Sequence, residues 1–164
     1  MAGMGQAVEI KFIVDHNVGK LAKWLRIMGY DAVLFTGEDD GKMVKTALAQ
    51  NRVILTKDTQ IMRRRVITSG RLKAILIENS DHKAQLRQVV DVLKLDCFRP
   101  FSICLECNEV LVEKDKDEVR DLVPPYVFKT RSKFMECRSC HRIYWQGTHW
   151  EAMSRELEMF AAQK

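Results

Sequence analysis

Over the amino-terminal part of the chain, short unbroken apolar runs alternate with segments of helical period. The run Ile10-Lys11-Phe12-Ile13-Val14 has the length of a strand and ends on Asp15. Behind it Leu21, Ala22, Leu25 and Met28 recur at helical spacing, and Gly29 is placed to end that helix. Residues 31–35 read as a second strand, followed by a turn-rich stretch over 36–41. Met43, Val44, Ala47 and Leu48 share one face of a helix expected over 40–50. Residues 52–56 make a β-branched strand that runs into Lys57 and Asp58. One helix is expected over 59–67, a fourth strand over 73–78, and a helix over 83–95 with Leu86, Val89, Val90 and Leu93 inward.

This β-α-β-α-β-α-β-α order demands a parallel sheet with right-handed crossovers, flanked by helices. Unbroken apolar strands agree with it, because helices would cover both faces. No Gly-x-Gly-x-x-Gly follows a strand and no P-loop is present, so no nucleotide cofactor is expected. The pattern changes at Arg99-Pro100, giving way to short segments, cysteine pairs, a Pro124-Pro125 break and an aromatic-rich end. Three parts are therefore expected: an α/β domain over 8–98, a small cysteine-bearing domain over 99–150, and a helix over 151–164. In that last helix Trp150, Met153, Leu157 and Phe160 form a stripe that would pack back on the body. Residues 1–5 read as a disordered leader or an expression remnant.

With 164 residues, 46% hydrophobic and 30% charged, the chain has the composition of an ordinary globular protein. No apolar run approaches bilayer-spanning length and no signal-peptide core is visible, so membrane insertion and secretion are not expected. A cytoplasmic or organellar-matrix location, with reduced cysteines, follows. Net charge is +5, and 16 Lys/Arg against 11 Asp/Glu occur through Asp96, with 11 against 11 beyond it. The excess thus belongs to the amino-terminal part. A local cluster of Lys129, Arg131, Lys133, Arg138 and Arg142 adds a second basic region, and together they suit a nucleic-acid partner.

Four of the five cysteines fall as Cys104-x-x-Cys107 and Cys137-x-x-Cys140. Two residues between thiolates let both grip one tetrahedral ion, so the pairs point to structural zinc rather than redox chemistry or disulfides. The long gap between the pairs implies an inserted excursion containing Pro124-Pro125. His141 could substitute as a ligand, but four thiolates already satisfy the metal. Cys97 reads as a buried small hydrophobe, and His82 and His149 as surface or cap residues.

Three acids stand just beyond strands or at the heads of helices: Asp15, Asp39 or Asp40, and Asp58. In a parallel sheet they emerge at one edge, where open α/β folds place their chemistry. Converging carboxylates repel unless a cation neutralises them, which points to Mg²⁺ or Mn²⁺ and phosphodiester hydrolysis. Each acid could instead merely cap its helix. Glu78 and Asp81 read as solvated turn acids with an optional fourth role.

The stretch from Phe12 through Asp15-His16-Asn17, Lys20-Leu21-Ala22-Lys23-Trp24-Leu25-Arg26 and Gly29-Tyr30-Asp31 resembles the opening motif of the Mut-seven C-terminal RNase domain family. Thr56-Lys57-Asp58 resembles its Thr-x-Asp strand end. Cys104-x-x-Cys107-Asn108, Cys137-x-x-Cys140 and Tyr144-Trp145-Gln146-Gly147-Thr148-His149-Trp150 resemble its ribbon and tail. The resemblance implies a PIN-like nuclease domain followed by a zinc ribbon, and a metal-dependent ribonuclease acting on single-stranded or structured RNA. By it, Asp15, Asp40 and Asp58 would be catalytic acids that bind Mg²⁺ or Mn²⁺, with Asn17, Arg26, Thr56 and Lys57 in the substrate site. Around the ribbon, Lys129, Arg131, Lys133, Phe134, Arg142, Tyr144 and Trp145 could contact phosphates and bases, although packing is expected for at least one of Tyr144 and Trp145. A second expectation is an inactive RNA-binding factor, assembled into a ribonucleoprotein, that keeps the fold.

Overall fold

Four parallel strands carry the amino-terminal unit: β1 (Lys11–Asp15), β2 (Ala32–Phe35), β3 (Arg52–Thr56) and β4 (Ala74–Leu76), in the order β2-β1-β3-β4. The computed structural model describes residues 10–95, 99, 102–147, 151–152 and 155–156. Contacts divide these into two units, the described residues of Met1–Leu25 with Tyr30–Leu95, and those of Arg26–Gly29 with Asp96–Lys164.

Between the strands lie α1 (Lys20–Ile27), α2 (Asp40–Gln50), α3 (Thr59–Met62) and α4 (Arg65–Thr68), and α5 (His82–Leu93) follows β4. The chain steps outward from β1 to β2, then returns across β1 to β3. Right-handed crossovers in opposite directions put the two connecting helices on opposite faces of the sheet. The reversal leaves a crevice between β1 and β3 at their carboxyl ends. On one face Ile13 and Ile54 pack with Met43, Val44 and Ala47 of α2, Ile61 of α3, and Leu72. Strand alternation turns Phe12 and Val14 to the other face, and they are buried like Leu21, Leu25, Leu86 and Val89 of α1 and α5. Each such buried side chain contributes roughly 1.5–3 kcal/mol relative to exposure.

Helix limits follow from local chemistry. The Asp39 side chain starts α2, and Asn51, in the left-handed region at φ 55°, ends it by donating to the Ala47 carbonyl. Leu48, expected inward, is exposed on that helix. The single helix expected over 59–67 is instead two short ones, because Arg64 is extended at φ −63°, ψ 139°. The break lets Val66 and Ile67 reach the same core as Ile61, which a straight helix through three arginines would not. At the sheet edge, Gln88 stands in for a missing strand: it accepts from the Glu78 N–H at 3.1 Å and donates to the Leu76 carbonyl at 2.8 Å.

The second unit holds an antiparallel sheet, β5-β6-β7, of β5 (Leu111–Lys114), β6 (Phe134–Cys137) and β7 (Ile143–Tyr144). The excursion between the cysteine pairs carries a 3₁₀ turn at Lys116–Val119 and α6 (Pro125–Thr130), with a proline opening the helix where no N–H is needed. It has its own core of Val119, Val123 and Phe134, covered by Val127, Phe128, Ile143 and Trp145. Gly29 belongs to this unit: at φ 96° it is in the left-handed region, and a Cβ there would lie 2.7 Å from the Arg99 carbonyl oxygen.

Cys97, His149 and the stripe of Trp150, Met153, Leu157 and Phe160 lie outside the described residues. Among the described residues no helix is long and apolar enough to cross a membrane.

Candidate active site and metal centre

β1 delivers Asp15 to its carboxyl end, where the residue is only 4% exposed. Thr56, the last residue of β3, is fully buried beside it. Its Oγ1 donates to Asp15 Oδ2 at 2.7 Å and accepts from the Asp58 N–H at 3.0 Å. One hydroxyl therefore orients the buried carboxylate and the turn that carries the next acid. A buried carboxylate without such a donor would be costly. His16 Nδ1 lies 3.2 Å from Asp15 Oδ1.

Asp58 spends Oδ1 on capping α3, accepting from the Gln60 N–H at 2.8 Å. Asn17 Oδ1 accepts from the Lys57 N–H at 3.3 Å, which ties the β1–α1 loop to the β3–α3 turn. Lys57 Nζ reaches Ser80 Oγ at 3.4 Å.

The neighbouring acids Asp39 and Asp40 divide the work. Asp39 Oδ1 caps α2, accepting from the N–H groups of Gly41 and Lys42 at 2.9 and 3.3 Å. Asp40 is the first residue of the helix. Its carboxyl is held above the ordinary range, first by burial, then by the charges of Asp58 and Asp15, with Arg64 opposing and Asp39 adding to the rise. Asp15, Asp40 and Asp58 thus share one electrostatic environment. They do not close into a preformed triad: among the described residues the only group of three or more ligand side chains within mutual reach of 4.8 Å is made of cysteines. Asp81 caps α5, its Oδ2 accepting from the Ala84 N–H at 3.1 Å.

Two residues near the acids escaped sequence reasoning. His16 follows Asp15 directly, but nothing in the pattern marks its ring as the carboxylate's neighbour. Arg64 sits in Arg63-Arg64-Arg65, which reads as an exposed helix until the backbone breaks there. Arg26 is placed in the second unit, 8% exposed, where its Nη1 donates to the Leu105 carbonyl at 2.6 Å.

In the second unit the sulfurs of Cys104, Cys107, Cys137 and Cys140 all lie within 4.8 Å of one another. Cys104 Sγ and Cys140 Sγ are 3.8 Å apart, which equals the edge, about 3.8 Å, of a tetrahedron with Zn–S bonds of about 2.3 Å. The two pairs fold alike. The Cys107 and Cys140 N–H groups point at the Cys104 and Cys137 sulfurs at 3.4 and 3.5 Å. Asn108 and His141, both at φ 61°, follow them and donate back to the Cys104 and Cys137 carbonyls at 3.0 and 2.8 Å. The Tyr144 hydroxyl lies 3.1 Å from Cys104 Sγ and accepts from the Leu105 N–H at 3.1 Å. A backbone bond from Arg142 draws the Cys140 thiol down to about 7, and a bond to Cys140 pushes Cys107 up to about 12. Four sulfurs so gathered fit structural zinc, with no open position for chemistry. His141 turns to Glu136, with Nδ1 3.5 Å from Oε2, and is not part of the sulfur set.

Phe134, expected as a possible stacking surface, is fully buried in the excursion's core, because its position on β6 faces Val119 and Val123. Tyr144 packs against the cysteine core and Trp145 against the Phe134 core.

A family model described as Mut7-C RNAse domain matches residues 10–157. No curated protein and no solved structure matches the chain.

Proposed function

The chain belongs to the Mut7-C RNAse domain family, a ribonuclease class whose substrate is RNA, and on that footing we propose that it is a metal-dependent endoribonuclease acting on single-stranded RNA. The observation that carries this is the buried Asp15, oriented by Thr56 at the carboxyl edge of the sheet and within electrostatic range of Asp40 and Asp58.

The donor set fits a hard divalent cation, because oxygens of mutually repelling acids are what such an ion neutralises. Asp15, Asp40 and Asp58 would hold Mg²⁺ or Mn²⁺, which when bound supplies charge stabilisation and a more acidic water. Thr56 fixes the rotamer of Asp15, so one carboxylate is in place before substrate arrives. One of these carboxylates accepts the proton from the attacking water. Water attacks phosphorus in line and the opposite P–O bond breaks. Lys57 and Asn17, joined at the loop tie, bind the phosphate. Arg26 serves the fold of the ribbon in this reading, through the Leu105 carbonyl, rather than the phosphate. The ribbon's basic surface contributes grip on the strand.

A second reading is an RNA-binding assembly factor without activity. It is favoured by the spacing of the three acids, which do not close to within 4.8 Å as a set. Incubation with labelled linear and circular single-stranded RNA in Mg²⁺ or Mn²⁺ separates the two. Cutting of circular RNA that is abolished by Asp15→Asn supports the endonuclease. Binding without cleavage in either metal supports the assembly factor.

A further inference from the structure

Beside the acids, on the face of the sheet that carries α1 and α5, the amino-terminal unit has a cavity of about 430 Å³. His16, Asn17 and Lys20 line one wall, and Ser80, His82 and Gln85 the other. Its volume falls at the small end of the range for small-molecule sites, about 300–1,000 Å³. That admits one nucleotide and excludes a duplex.

The lining is chemically one-sided. Every ionisable side chain in it is a base: His16, Lys20 and His82. The nearest acid in sequence on the second wall, Asp81, is turned to the Ala84 N–H. Neither Lys20 nor His82 has a hydrogen-bond or ion-pair partner among the described residues. Lys57 Nζ on Ser80 brings a further cation to the second wall. The His82 ring is held by stacking on Trp24, with centroids 5.9 Å apart and planes at 25°. A ring fixed on one side offers its other face for stacking a base. On the second wall Gln85 is 5% exposed, and its Nε2 is committed to the Asn79 carbonyl at 2.8 Å. That leaves Oε1 as a buried acceptor with no partner among the described residues. An anion, a flat ring and a hydrogen-bond donor are the three parts of a nucleotide.

The cavity is continuous with the acids through one residue. His16 lines the cavity and its Nδ1 is 3.2 Å from Asp15 Oδ1. We propose that this cavity binds the nucleotide adjacent to the scissile phosphate, resting on the nuclease reading of Asp15. Lys20 takes the phosphate of that nucleotide, His82 stacks its base, and Gln85 Oε1 accepts from a nucleoside hydroxyl or amino group.

Titration of the isotope-labelled full chain with adenosine 5′-monophosphate or inorganic phosphate, followed by backbone-amide NMR, tests this. Adenosine 5′-monophosphate is expected to shift the amides of residues 16–20 and 80–85 and to bind at least tenfold more tightly than phosphate. Lys20→Glu and His82→Ala are each expected to weaken it at least fivefold with the melting temperature unchanged. Silent loop amides, or equal affinity for phosphate and the nucleotide, would overturn the proposal. The same protein is assayed for RNA cleavage. Loss of cleavage with the loop shifts intact refutes the nuclease reading and keeps the nucleotide site. Cleavage intact with silent loops refutes the nucleotide site alone.

Discussion

Thr56 Oγ1 donates to Asp15 Oδ2 at 2.7 Å while accepting from the Asp58 N–H at 3.0 Å, across two adjacent parallel strands. A single buried hydroxyl thus sets the rotamer of one acid and the backbone path to another. Thr56→Val keeps the shape and removes both bonds. It is expected to lower stability by about 1–3 kcal/mol, because a buried carboxylate and a half-buried N–H lose their partner. Cleavage should fall by at least about tenfold through misplacement of Asp15. Thr56→Ser, which restores the hydroxyl, should recover most of both in melting and cleavage assays. Wild-type behaviour in Val with a defect in Ser would mean that the methyl group, not the hydroxyl, matters.

Asp15→Asn is expected to reduce metal-dependent cleavage by at least about 10²-fold. Thr56 can still donate to the remaining amide oxygen, so circular dichroism and melting should stay near wild type. Cleavage that persists at wild-type rate would remove Asp15 from the site.

Asp40 links the site to pH. Its folded-state carboxyl lies above the ordinary value of 3.8, so the fold prefers the protonated form. The ionised group costs stability at pH above its folded value, and the cost disappears below pH 3.8. Asp40→Asn should therefore raise the melting temperature at pH 7, with the advantage shrinking as pH falls to 3.8. Added Mg²⁺ or Mn²⁺ should stabilise wild type more than this variant, because the cation relieves the same repulsion. A pH-independent difference between the two proteins would contradict the coupling of the acids.

Protein purified without chelator should contain one zinc per chain by elemental analysis. Tyr144→Phe removes the hydroxyl that touches Cys104 Sγ and Leu105 N–H, and is expected to weaken zinc binding by about 10–100-fold in a chelator competition. Removal of zinc should unfold the cysteine-bearing part of the second unit, whose core among the described residues has Leu111, Met135 and Tyr144 besides sulfur. Zinc-free protein that melts like the purified form would refute the structural role.

Much of this protein is determined by local chemistry, and that part is legible in its residues. The apolar runs at Ile13 and Ile54 and the helical stripe of Met43, Val44 and Ala47 define a parallel sheet with covered faces, since burial is periodic and period follows backbone geometry. Cys-x-x-Cys spacing defines the four-sulfur cluster because both thiols of a pair lie within one turn. The strand-end positions of Asp15 and Asp58 bring acids to one edge.

Tertiary packing decides the rest. The extended backbone at Arg64 answers to the core that Val66 and Ile67 join, not to local propensity. Phe134 looks like any aromatic beside basic residues, and only the excursion folded over β6 buries it. The division between Asp39 and Asp40 depends on which carboxylate reaches the amides of Gly41 and Lys42. The bond from Thr56 to Asp15 spans 41 positions in the chain, and the cavity between His16 and Gln85 joins loops still further apart. Such partners meet because β1 and β3 are neighbours and α5 lies beside α1, relationships set by the three-dimensional arrangement of the elements rather than by residues close in sequence.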